Sequence, residues 1–305
     1  TKLIHVDIDD QEIGRCYPTE VGMVADAKKA IEDLNSALKG MKSLDKNGEW
    51  WKAIEGWKKA FEKIYQEWIN KTMEPPHCAP LFASASRIIN ERDPEASVMI
   101  DTGNAQSFGP VFFKALSQHT STHGQFCLMG FSVPAAIGAK MARPDHLSVS
   151  LTGDGCFFMT SAAVATAVQY NIPAIWIVMN NQSLCMEEEF QILFYGRQAF
   201  STYEREPLDL KKRGKKNVPS KGLWNPDIAG LAKAYGAEGI TAKTLPDFEK
   251  ALKRAIDSNA PTVIDVFVNR ATKGYYAGKL SFPSRFVERG LDRPFLPPFN
   301  AEVLK

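Results

Sequence analysis

The stretch "LTGDGCFFMTSAAVATAVQYNIPAIWIVMNNQSL" spans Leu151 to Leu184 and joins two apolar runs, each broken by turn-forming residues at its carboxyl end. The first run, "SVSLTGD" (Ser148 to Asp154), stops on Gly-Asp-Gly; the second, "AIWIVMNN" (Ala174 to Asn181), stops on Asn-Asn. Short apolar runs rich in β-branched residues and closed by turn formers predict buried strands. The stretch between them, Thr160 to Tyr170, predicts a helix, and so a crossover between parallel strands. Outward from this unit the alternation continues. Helix (Leu81 to Asn90), strand (Ser97 to Asp101), helix (Phe108 to Leu116) and helix (Val133 to Ala142) are expected before it. Helices Asp227 to Tyr235 and Leu245 to Ser258 and strand Thr262 to Asn269 are expected after it. The class is α/β: a mainly parallel, doubly wound sheet with helices on both faces.

Upstream, Thr1 to Ile8 reads as a strand and Asp26 to Met41 as an amphipathic helix, which together look like the end of a second α/β domain. Glu49 to Lys71 places Trp51, Ile54, Trp57, Phe61, Tyr65 and Trp68 at helical spacing, the pattern of a packing helix between domains. "MEPPHCAP" (Met73 to Pro80) reads as a linker. The chain opens on a strand pattern without an initiator Met, so it is expected to be cut from something larger. No internal repeat is found.

Composition narrows the class of ligand. In 305 residues, 37 basic and 35 acidic side chains leave a formal charge of +2. Neither nucleic acid nor an anionic membrane is implied, and a small or medium ligand fits better. Cys16, Cys78, Cys127, Cys156 and Cys185 are odd in number and lack a C-x-x-C pair, which argues against a disulfide scaffold or a zinc cluster. No membrane span or signal peptide is evident, and the cytosol is the expected compartment.

The chemistry is expected at the strand ends, because open parallel sheets bind ligands where strands lead into helix N-termini. Asp154 and Asn181 both arrive there, and their oxygens suit one hard cation shared with a phosphate, Mg²⁺ above all. Gly153 and Gly155 let backbone approach closely, and the following helix turns free N–H groups toward an anion. Gly-Asp-Gly alone is weak, since at a glycine usage of about 7% it occurs by chance in about one chain in ten of this length. The ordered set of strand, Gly-Asp-Gly, helix, strand and Asn-Asn is what carries weight.

That set resembles the diphosphate-binding motif of thiamine-diphosphate enzymes, in particular the acetolactate synthase and 2-oxo acid decarboxylase superfamily. "LMGFSVPAAIGAKMA" (Leu128 to Ala142) is similar to the superfamily's segment beside the aminopyrimidine ring, "DTGNAQ" (Asp101 to Gln106) to its first diphosphate loop, and Leu3 to Ile31 to the end of its central domain. The resemblance implies a central-domain end over 1–45, a linker helix over 46–80, a diphosphate-binding domain over 81–272, and a tail over 273–305 as a possible active-site lid.

The resemblance also implies roles. Asp154 and Asn181 would bind Mg²⁺ by side chain and Ser183 by its carbonyl. Gly155 and Cys156 would offer backbone N–H groups to the diphosphate, beside Gly153. Gly103, Asn104 and Ala105 form the first diphosphate loop, with Asn104 and Ala105 where acetolactate synthases carry Gln-His. Met129 would prop the cofactor into its bent shape, the Cys127 carbonyl would accept from the exocyclic amine, although the family often has Gly there, and Met186 would line the pocket beyond the metal. His123 is a weak candidate proton donor, with a structural role as its rival. Cys185 to Phe200 is similar to the mobile segment over the substrate; Glu187, Glu188 and Glu189 read as its solvated face rather than as an acid/base set.

The implied activity is formation or cleavage of a bond next to the carbonyl of a small 2-oxo acid, by an acetolactate-synthase-like carboligase or a decarboxylase. The activating glutamate is expected outside this chain, on a pyrimidine-binding domain from a missing N-terminal portion or another subunit, and the full enzyme as a homodimer or homotetramer. The chain alone is then expected to be inactive. The basic stretch "LKKRGKKNVPSKG" (Leu210 to Gly222) keeps a 2-hydroxyacyl-CoA lyase open as an alternative, with an acyl-CoA substrate. A non-catalytic cofactor-binding or regulatory module is a further alternative. A dinucleotide-binding domain lacks support, since no G-x-G-x-x-G follows a predicted strand.

Overall fold

The computed structural model describes residues 2–41, 48–117, 119–122, 126–187 and 226–269. His123, Glu188, Glu189, the segment 190–200, the basic stretch 210–222 and the tail 273–305 lie outside the described residues. The chain divides into two compact units, Thr1–Ala60 and Phe61–Lys305. Among the described residues no helix is long and apolar enough to cross a membrane.

In the first unit β1 (Ile4–Asp7) pairs in parallel with β2 (Val21–Val24), Ile4 opposite Val21 and Asp7 opposite Val24. The strand expected over Thr1 to Ile8 is therefore shorter, and β2 is unanticipated because "VGMV" is brief and carries a glycine. Helix α1 (Ala27–Ala37) follows, with Asp26 as its N-cap accepting from the Lys29 N–H at 3.1 Å. Such a cap contributes about 1 kcal/mol. Among the described residues of this unit only Ala30 is buried.

Helix α2 (Glu49–Ile69) begins in the first unit and ends in the second. Its last turns pack by aromatic contact. Tyr65 and Trp68 stack on Phe112 at ring separations of 5.5 and 6.1 Å, and Trp68 meets His77 edge-on at 5.0 Å. His77 in turn caps α3 (Cys78–Arg92), its Nδ1 accepting from the Ala79 N–H at 3.0 Å. The linker expected over Met73 to Pro80 thus ends earlier, at His77.

The second unit is built on a six-stranded sheet whose pairs are all parallel. Its strands are β3 (Ser97–Ile100), β4 (Thr120–Thr122), β5 (Ser148–Gly153), β6 (Ile175–Asn180), β7 (Glu238–Ala242) and β8 (Thr262–Phe267), in the order β4-β3-β5-β6-β8-β7. Side chains alternate between two cores, as a strand requires. Val98, Ile100, Leu151, Ile177 and Val266 join one layer with α3, α4 (Asn104–Phe112) and α9 (Leu245–Ser258). Met99, Trp176, Val178 and Val263 join the other with α5 (Ser132–Ala142), α6 (Asp154–Thr160), α7 (Ala163–Gln169) and α8 (Ile228–Ala234). The fully buried Trp176 ties sheet to helix, its Nε1–H donating to the Val133 carbonyl at 3.0 Å.

Three departures from the sequence reading bear on the site. Helix α4 starts at Asn104, not Phe108, because Gly103 at φ 78° turns the chain straight from β3 into it. The helix expected over Thr160 to Tyr170 is α7, which starts at Ala163, and a separate helix, α6, precedes it from Asp154 itself. Strands β4 and β7 are extra edge strands, too short to stand out in the sequence.

The strand order has a reversal. From β3 the chain moves outward to β4, then returns past β3 to β5 and on to β6. Accordingly α4 and α6 lie on opposite faces, and a crevice opens beyond the carboxyl ends of β3 and β5, where doubly wound folds bind ligands.

Candidate functional site

Register brings the candidate residues to one edge. Ile100 pairs with Leu151 and Gly153 with Met179, so Gly103, Asp154 and Asn181 all leave the sheet on the same side. A cavity of about 490 Å³ lies there. Every candidate that falls within the described residues lines it: Gly103, Asn104 and Ala105 from the β3–α4 turn, Cys127 and Met129 from the segment before α5, Gly153, Asp154, Gly155 and Cys156 from the start of α6, and Asn181, Ser183 and Met186 from the loop after β6. His123 is not among the described residues.

Helices α4 and α6 both open on this cavity with a glycine as N-cap, Gly103 and Gly153, and neither has a side-chain cap. Their first-turn N–H groups therefore favour an anion. Between them sits a carboxylate. Asp154 is 2% exposed, its Oδ1 accepting from the Gly155 N–H and its Oδ2 from the Gln182 N–H, both at 2.7 Å. The Gly155 N–H expected to serve a diphosphate is thus turned, in this structure, to Asp154. Burial pushes the Asp154 carboxyl up to about 7, against the pull of the backbone N–H groups of Gly155, Gln182, Ser183 and Asn181.

The loop after β6 closes over Asp154 through a left-handed residue, Gln182 at φ 57°. Within it the Asn181 Oδ1 accepts from the Ser183 N–H at 3.1 Å. Among the described residues no group of three or more His, Cys, Asp or Glu side chains gathers around a metal position. The donor set at this edge is one carboxylate with amide and carbonyl oxygens, which fits Mg²⁺ in the presence of phosphate and fits softer metals poorly.

Much of the remaining wall is sulfur. Cys78 and Met179, given no role at this site by the sequence, and Cys185, the first residue of the segment expected over the substrate, line the cavity beside Cys127, Cys156, Met129 and Met186. No spacing rule links Cys78 and Met179 to the site, so the sequence held no signal for them. Burial and the neighbouring Asp101 raise the Cys156 thiol well above its usual range, which keeps it neutral. Cys127 takes φ 49°, the left-handed region that glycine enters freely and other residues enter at a cost of about 1–2 kcal/mol. Glu187 also lines the cavity, so the one described member of the Glu187 to Glu189 run faces the site.

Residues 101–266 match the family described as "Thiamine pyrophosphate enzyme, C-terminal TPP binding domain". The chain is similar to a probable acetolactate synthase large subunit of Methanocaldococcus jannaschii, 30% identical over 271 residues, which is 88% of this chain and 42% of that protein. It is similar to the acetolactate synthase large subunit of Haemophilus influenzae, 29% identical over 278 residues, covering 90% of this chain and 44% of that protein. The acetolactate synthase isozyme 3 large subunit of Escherichia coli is 26% identical over 280 residues, covering 90% and 44%. The chain thus spans less than half the length of these relatives.

Proposed function

From the membership of this chain in the thiamine pyrophosphate enzymes, to which it belongs through a C-terminal TPP-binding domain over residues 101–266, we propose that the cavity beyond β3 and β5 holds thiamine diphosphate with Mg²⁺. The protein then forms or cleaves a carbon–carbon bond next to the carbonyl of a 2-oxo acid, as an acetolactate-synthase-like carboligase. The observation that carries this reading is the meeting of two uncapped helix N-termini and one buried carboxylate at a single sheet edge. Helix N-termini call for an anion and Asp154 calls for a cation. A diphosphate bound through Mg²⁺ answers both.

On this reading Asp154, the Asn181 side chain and the Ser183 carbonyl would hold the metal. The backbone N–H of Cys156 and those of the Gly103 to Ala105 turn would hold the diphosphate, Ala105 offering no side-chain donor of its own. Met129 would support the cofactor's bend, Cys127 would offer its carbonyl, and Met186 would bound the far wall. The cofactor supplies the electron sink for the reaction when bound. The chain's own residues bind and orient it, and the neutral Cys156 thiol places no second negative charge beside the phosphates. The relatives' greater length supports a further element, the activating glutamate, on sequence beyond these 305 residues.

Thermal unfolding tests the reading. Mg²⁺ with thiamine diphosphate at about a hundred times Kd is expected to stabilise the protein by about 2.7 kcal/mol. Thiamine monophosphate, or chelation of the metal, is expected to remove most of that gain, and Asp154→Ala to remove it altogether. Undiminished binding by Asp154→Ala would refute the assignment.

A further inference from the structure

We propose that Asp101, which does not line the cavity, is a positioning residue for it: its buried carboxylate sets the separation between the Met129 wall and the Asp154 edge. Asp101 is the first residue beyond β3 and has no exposed surface. Its Oδ1 accepts from the N–H groups of Thr102 and Gly130, each at 2.9 Å. Its Oδ2 accepts from the Ser132 N–H at 2.9 Å and the Ser132 hydroxyl at 2.6 Å, and lies 3.3 Å from the Thr152 hydroxyl, whose one proton it shares with the Gly153 carbonyl at 3.2 Å. One side chain thereby fastens together the β3–α4 turn, the loop that follows Met129, the start of α5 and the end of β5.

A carboxylate suits this task better than its amide. Both oxygens accept from these N–H and O–H groups, whereas Asn would turn an N–H₂ group toward the Ser132 or Gly130 N–H. The loop is gripped from its other side as well, because the Thr160 hydroxyl of α6 donates to the Gly130 carbonyl at 2.8 Å. Gly130 lies at φ 87°, and a Cβ there would stand 2.8 Å from the Thr160 Oγ1 and 3.0 Å from the Cys156 carbonyl oxygen. Met129 is consequently held against the helix that starts with Asp154. If Asp101 lets go, the wall and the metal edge separate while the sheet remains.

The role in cofactor binding rests on the thiamine-diphosphate reading; the fastening does not. Asp101→Asn is the direct test, read by amide exchange at Gly130 and Ser132 and by titration with Mg²⁺ and thiamine diphosphate. Exchange at those two amides is expected to rise at least about tenfold, with Ile177 in β6 unchanged, and Kd to rise about tenfold. Ser132→Ala, which removes one hydroxyl donor, is expected to move both readouts the same way by less, and serves where Asp101→Asn does not fold. Ser148→Ala is the structural control: its hydroxyl donates to the Ala136 carbonyl at 2.6 Å, so stability falls without a change in Kd. Unaltered exchange at Gly130 overturns the fastening whatever the protein binds. A faster loop with unchanged Kd, or an equal loss of affinity in Ser148→Ala, overturns the positioning role. Failure of the unmodified protein to bind thiamine diphosphate sinks the cofactor reading, leaving the exchange result to decide for or against the fastening.

Discussion

Burial at Asp154 sets a proton equilibrium that the proposed Mg²⁺ would have to displace. With the carboxyl pushed up to about 7, the residue is about half protonated at neutral pH, and only the charged form binds a cation. Binding of Mg²⁺ with thiamine diphosphate is therefore expected to release about half a proton at pH 7 from this group, and to weaken about fivefold from pH 7 to pH 6, approaching tenfold per unit below that. Calorimetry in two buffers of different ionisation enthalpy measures the release; an affinity independent of pH between 6 and 8 would contradict the assignment. The polar candidates Asp154 and Asn181 were legible in the sequence, since Gly-Asp-Gly and Asn-Asn close apolar runs. The role of Asp101 and the Cys78 and Met179 part of the wall were not. A strand-ending aspartate has no visible partner until the loop at Gly130, distant in sequence, folds onto it.

At the scale of elements, the junction of α2 with α3 is an aromatic and histidine cluster whose stability depends on acid. His77 is 2% exposed and its pKa is lowered to about 4, first by burial and then by Lys71. The unfolded chain takes up this proton near 6.5 while the folded chain stays neutral until about 4, so the contribution is complete above 6.5 and is lost as pH falls between those values. Comparison with His77→Asn, which keeps a cap acceptor for the Ala79 N–H, isolates it from Asp154 and Asp265, whose raised values act in the opposite sense. The stability difference between the two proteins is expected to shrink by about 3 kcal/mol from pH 7 to pH 4 in denaturant titrations. A difference that does not change with pH would place the imidazole's charge elsewhere. Long, strongly periodic elements such as α2 and α9 were readable from the sequence, because apolar spacing alone defines them. Edge strands β4 and β7 were not, because pairing to a neighbour, not pattern, makes three to five residues a strand.

For the whole molecule, the reversal in strand order places α4 and α6 on opposite faces and leaves the crevice between their N-termini. On the proposed reading this crevice takes the diphosphate end of the cofactor, and the group that activates its reacting end lies outside these residues. Residues 1–305 with Mg²⁺, thiamine diphosphate and a panel of 2-oxo acids are therefore expected to show no turnover above cofactor alone. Activity is expected to appear when a pyrimidine-binding domain is supplied on the same or another chain. Substantial turnover by the chain alone would show that the activating group lies within it. By itself the sequence determined the α/β class, the strands that lead into Asp154 and Asn181, and the family, because hydrophobic period and local motifs are properties of neighbouring residues. Tertiary structure alone decided that these ends meet the Gly103 turn and the Met129 loop around one cavity, and that a fully buried Asp101 holds them there. Strand order and the pairing of buried polar groups depend on contacts between residues far apart in the chain, and no local pattern encodes such contacts.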